Sequence, residues 1–134
     1  MKLVIGISIL VICLGFRVSA PTEWSWDNVD NINYLGVVRN QNYPAPCNSG
    51  WAIAATSTLS SRIKIARKAQ WPDVTISPQV LIDCDNLDFG CYGGDPWSAF
   101  KWIQTNDITD DTCSSYSAKT SGRCTSASKC MRCI

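Results

Sequence analysis

The stretch Gln41-Asn42-Tyr43-Pro44-Ala45-Pro46-Cys47 places two prolines within three residues, follows them with a cysteine, and runs at once into a helical pattern that begins at Ser49. The prolines forbid regular helix and favour a stiff exposed loop. Ser49 offers an N-cap, and apolar residues at Ala52, Ala55, Leu59, Ile63 and Ala66 recur at spacings of three and four, which predicts one apolar face of the chain's longest helix. Arg62, Lys64, Arg67 and Lys68 crowd its last turns, where cations complement the negative end of the dipole, and read as a solvated helix end. Any fold open to this chain is built around a long helix that emerges from a proline loop beside a cysteine.

The remaining elements are short. Ser77-Pro78 and Asp95-Pro96 are both start signals, a capping residue followed by proline at the first helical position. They predict a helix from Gln79 to about Cys84 and another from Asp95-Pro96 through Trp97, Phe100, Ile103 and Gln104 to about Thr105. Between them Gly90-Cys91-Tyr92-Gly93-Gly94 reads as irregular backbone. Residues 23–34, rich in aromatic and turn-forming side chains, read as an extended arm with turns. After Asp107 the apolar period is lost, and disulfides rather than a core are expected to hold the tail.

At the N-terminus, Lys2 precedes the apolar run Leu3 to Phe16, and Val18-Ser19-Ala20 supplies small residues at a cleavage site, so residues 1–20 are expected to be a signal peptide and the mature chain to start at Pro21. The run is shorter than the ~20 residues a membrane span needs, and no membrane association is expected. Removing Lys2 and Arg17 leaves ten basic and 11 acidic side chains with no basic run, which gives no electrostatic reason to expect nucleic acid as a partner. Of eight cysteines, Cys13 falls in the leader, which leaves an odd number for an oxidising compartment. Cys130-Met131-Arg132-Cys133 has the spacing of a zinc knuckle, but the chain has no histidine and no second such pair, so neither metal nor other cofactor is expected.

Cys47-Asn48-Ser49-Gly50-Trp51 matches the Cys-Gly-Ser/Ala-Cys-Trp/Tyr signature around the papain-type nucleophile at its first Cys, its Ser and its Trp. Trp26-Asp27-Asn28-Val29-Asp30, Asn33-Tyr34, Arg39-Asn40-Gln41, Ala69-Gln70-Trp71-Pro72, Ile82-Asp83-Cys84, Cys91-Tyr92-Gly93-Gly94 and Asp110-Asp111-Thr112-Cys113 follow in order. On these motifs the chain, from about Trp24 onward, resembles the papain-like cysteine peptidases, and within them the cathepsin X (cathepsin Z) branch. It departs from the family where the chemistry sits. Gly50 occupies the nucleophile position, and no histidine is present to act as base. Cys47 and Ser49 are no substitutes, the first being better explained as a disulfide half and the second as a helix cap.

The resemblance implies an α+β fold of which this chain holds the helical (left) half, with a long central helix, two short helices and irregular disulfide-linked loops. The β-barrel half and a propeptide are expected to be missing from residues 21–134. It implies Gln41 as the oxyanion-hole side chain, and Asn42, Trp51, Gly93 and Gly94 as substrate-binding residues. Asn42 replaces a histidine of the branch, and a tight turn beside a disulfide is an equal reading of the two glycines. It implies disulfides Cys47–Cys91, Cys84–Cys124 and Cys113–Cys130, with Cys133 unpaired and apolar surface exposed around Trp51. The expected function is that of a secreted or lysosomal, catalytically inactive homologue acting as a binding or decoy module. Its expected partners are peptides, protease-inhibitor-like proteins, or a second copy joined through the exposed junction surface or Cys133. The alternative is a truncated or misread copy of an active carboxypeptidase of the same branch.

Overall fold

A computed structural model of the chain describes residues 20–121 and 123–125. Nearly all of the expected signal peptide, Cys130 and Cys133 lie outside the described residues, and with them the expected Cys113–Cys130 pairing; Cys113 is disulfide-bonded. The element order is α1 (Gly50–Ala66), α2 (Pro78–Cys84), a 3-10 turn (Gly90–Tyr92) and α3 (Pro96–Thr105). Among the described residues β structure is limited to two isolated bridges, Val29 with Ile32 and Ile76 with Asp110.

The two short helices start where their proline signals put them. Ser77 is extended, and its hydroxyl accepts the Val80 N–H at 3.4 Å. Asp95 precedes Pro96 in extended backbone but makes no side-chain cap. The glycine segment is more regular than expected, because Tyr92 N–H bonds Phe89 O and Gly93 N–H bonds Gly90 O to wind a 3-10 turn. Gly90 and Gly93 both take positive φ, which removes the steric penalty a side chain would incur there.

The core forms where α1 meets α2 and α3. Ala52 and Ala55 bring small side chains to the contact, and Trp51, Val80, Leu81, Ile82, Ala99 and Trp102 fill the volume around them. Burying each of the branched side chains contributes roughly 1.5–3 kcal/mol. The buried face of α1 differs from the expected stripe. Thr56 and Ser60 are buried, whereas Leu59 and Ile63 are half-buried and Ala66 is exposed. The hydroxyls make this inexpensive: Thr56 Oγ1 donates to Ala52 O, while Ser60 Oγ donates to Thr56 O and accepts the Ile76 N–H, each at 2.8 Å. The basic helix end is also more tied than a solvated face. Lys64 Nζ pairs with Asp73 at 2.8 Å and Arg67 donates to Pro72 O at 2.9 Å.

The segment after Asp107 is held by more than disulfides, which corrects the expectation for that tail. Ala118 is buried and Ile108 and Tyr116 pack against the core. Backbone bonds join Ser77 N–H to Thr109 O and Asp111 N–H to Thr75 O. The buried Gln79 amide donates to Lys119 O and accepts the Ser117 N–H. Single apolar residues spaced by polar ones leave no period to read, yet Ile108, Tyr116 and Ala118 each find a place at the core.

Candidate functional site

Gly50 is the first residue of α1 and is exposed. A Cβ built on it would lie 3.1 Å from Gln41 Oε1, so the proline loop and the helix N-terminus bring the two family positions side by side. The loop is held by hydrogen bonds in series. Tyr116 OH lies 2.6 Å from Gln41 O and 2.6 Å from Ser49 Oγ. A carbonyl can only accept, so the phenol proton goes to Gln41 and the Ser49 hydroxyl donates to Tyr116. Ser49 therefore does not cap α1 with its side chain, contrary to the sequence reading. Its backbone, at φ −93° and ψ 13°, lacks the extended geometry a capping side chain uses.

The second wall is the 3-10 turn. Cys47 and Cys91 form one disulfide, and Asn48 N–H bonds Cys91 O at 3.0 Å beside it. Cys84 and Cys124 form another. Trp51 is 5% exposed, and its indole N–H donates to Gly90 O at 3.0 Å. The apolar surface expected around it is therefore not at the indole, which the chain covers with its own turn. Gly94 lies against that indole. A Cβ there would sit 2.6 Å from Trp51 Cδ2 and 2.7 Å from Asp88 Oδ1, so packing alone requires glycine. At Gly93, by contrast, a Cβ would meet nothing within 4 Å, and Phe89 and Tyr92 stand out beside it, 76% and 89% exposed. Asn42 is exposed in the loop, with its backbone N–H on Asn40 Oδ1.

Two carboxyls that sequence patterns did not single out lie behind this wall. Asp85, the C-cap of α2, is 7% exposed; Oδ1 accepts the Leu87 N–H at 2.8 Å and Oδ2 is buried without a donor. Burial raises its pKa to about 6, opposed by the Leu87 N–H and aided by the charge of Asp88. Asp88 accepts from Asp95 N–H and from Ser98 Oγ, bridging the turn to the start of α3. Neither residue carries a periodic signal, and only their place in a short loop between two helices could have marked them.

Chemically, the site retains a hydrogen-bonding side chain, a helix N-terminus whose dipole favours negative charge, and an open glycine edge. It presents no thiol and no base. Among the described residues no cluster of three or more acidic or cysteine side chains could hold a metal ion, and no helix is long and apolar enough to cross a membrane.

Comparison with known proteins fits this geometry. Residues 20–133 match the profile of the papain family cysteine proteases. A cathepsin Z from Onchocerca volvulus is 41% identical over 113 residues, 84% of this chain and 36% of its own length. A cathepsin B from Dictyostelium discoideum is 31% identical over 102 residues, 76% of this chain and 29% of its own length. Among solved structures, digestive procathepsin L2 proteinase from Tenebrio molitor larval midgut superposes with a TM-score of 0.71 at 28% identity, covering 84% of this chain and 34% of that one. The chain thus spans about a third of the length of these relatives. It belongs to the papain family of cysteine proteases, is similar to cathepsin Z, and folds as the helical half of the papain-like domain.

Proposed function

We propose that this chain is a catalytically silent papain-family homologue that binds extended peptide segments, including those of protease-inhibitor-like proteins, along the surface between Gln41, Gly50 and Gly93. Gly50 carries the reading. The position at which the family places its thiolate has an intact helix N-terminus and an adjacent Gln41 but no side chain. Losing the nucleophile of a triad-type enzyme removes on the order of 10⁶ in rate, so Gln41 sustains at most residual hydrolysis. The open edge at Gly93 with exposed Phe89 and Tyr92 offers backbone and aromatic surface to a strand-like ligand. Asn42 lies in the same loop as a neutral hydrogen-bonding group. Secretion through the leader, with residence outside the cell or in lysosomes, and pairing of two copies through exposed apolar surface or Cys133 belong to the same reading.

The test is a matched pair of assays on the full chain. No turnover of fluorogenic dipeptide substrates is expected, together with micromolar binding of a cystatin-type inhibitor or of a peptide aldehyde-free analogue by calorimetry. Turnover at a rate within about a hundredfold of an active cathepsin would sink the reading. The share of the relatives' length covered supports a second reading, a partial or misread copy of an active peptidase. A transcript that encodes Cys at position 50 and continues into a histidine-bearing segment would decide for it.

A further inference from the structure

The carboxyl pair behind the glycine turn belongs neither to the peptide edge nor to the Gln41 notch. Asp85 closes α2, with its own N–H on Leu81 O, and buries Oδ2 where no donor reaches it. Asp88 faces it from the following loop and is itself fastened to Asp95 N–H and Ser98 Oγ of the α3 start. Of the other charges nearby, Asp83 of α2 accepts from Gln79 and from Ser121 N–H and Lys101 of α3 lies over the Trp97 ring, while Asp95 is an exposed carboxylate that meets Asp88 through its backbone N–H. No cation is paired with either carboxyl among the described ion pairs.

We propose that Asp85 and Asp88 share one proton, and that this proton latches the loop from Asn86 to Gly94 onto α2 and α3. With the proton present, the Asp85 carboxyl donates from its otherwise orphaned Oδ2 to the Asp88 carboxylate, and both Asp85 oxygens have a partner. When it dissociates to solvent, a buried carboxylate faces a second one with no counter-charge, and the loop relieves the conflict by opening to water. Because Asp88 also touches the position where a Gly94 side chain would sit, beside Trp51, loosening the pair loosens the wall that carries Gly93. The device makes the turn firm in acid and mobile toward neutrality, whether or not a peptide binds there.

The experiment uses the full chain labelled with ¹³C. The Asp85 carboxyl resonance is expected to titrate near 6, well above the ordinary aspartate range. Intrinsic-rate-corrected amide exchange of residues 87–94 is expected to rise roughly tenfold between pH 5 and pH 7, because the open form binds its proton with an ordinary affinity. Asp85→Asn, which retains a donor but cannot ionise, is expected to abolish that rise, and Asp88→Asn to lower the Asp85 titration. Ordinary titration of Asp85 in the wild-type chain overturns the proposal without recourse to any variant. So does exchange in residues 87–94 that ignores pH, or a pH-dependence that survives Asp85→Asn.

Discussion

Tyr116 donates its phenol proton to the Gln41 carbonyl at 2.6 Å across 75 positions of sequence and accepts from Ser49 in return. The tail of the described chain therefore fixes the loop that carries Gln41, the residue expected at the oxyanion hole. Tyr116→Phe removes both bonds and leaves the Gln41 carbonyl and the Ser49 hydroxyl without this partner. A loss of about 1–3 kcal/mol is expected in urea unfolding, with Ser49→Ala costing less and the double variant less than the sum.

Gly94 and Gly50 should respond unequally to alanine. At Gly94 the new methyl meets an indole carbon and a carboxylate below 3 Å, so a loss of about 1–3 kcal/mol is expected. At Gly50 the single neighbour is the end of a flexible Gln41 side chain at 3.1 Å, and the change is expected to stay within about 0.5 kcal/mol. Thermal melts of the two variants side by side check both.

Gly50→Cys is expected to give a thiol that alkylates with iodoacetamide faster than a free cysteine at pH 7, since the helix N-terminus stabilises its thiolate. Peptide hydrolysis is expected to remain undetectable, because these residues supply no histidine. Mass spectrometry of the alkylated protein and a fluorogenic assay read the two outcomes separately.

The acid side of the stability profile should carry two opposed contributions. Asp85 is raised in the folded state, chiefly by burial, so its contribution is fully present below about pH 4 and lost as pH climbs through about 6. Asp110 is lowered, first by the Thr112 hydroxyl, so its contribution holds above its ordinary value and fades as pH falls through its folded one. The midpoint of urea unfolding is therefore expected to decline from about pH 4 to pH 6.5, and Asp85→Asn to flatten that decline.

Opening the Cys84–Cys124 bridge by Cys124→Ser should cost about 4 kcal/mol, the loop-closure entropy of a 40-residue separation. Leu81→Ala, at a fully buried position between the helices, should cost about 2–5 kcal/mol. Equilibrium denaturation in urea measures both.

What the sequence made legible was local. Ser77-Pro78 and Asp95-Pro96 marked α2 and α3 because a proline at the first helical position acts on its own backbone. The apolar spacing from Ala52 onward placed Gly50 at a helix start, although the Ser49 side chain does not cap it. What stayed hidden depends on partners distant in sequence. Ser49 has the composition of a cap, and Tyr116 takes its hydroxyl. Exposed apolar surface was expected around Trp51, and Gly90 O takes its indole N–H. Asp85 shows nothing unusual until the fold seals one of its oxygens away from water.

The fit of Gly94 against Trp51 separates two histories that a motif alone would merge. In a working protease this glycine could be preserved for the sake of the substrate; here the indole beside it imposes the same demand through folding. A chain of this fold is penalised for mutating Gly94 whether or not any peptide passes over it. The presence of Gly94 beside Trp51 is thus a statement about architecture before it is one about chemistry.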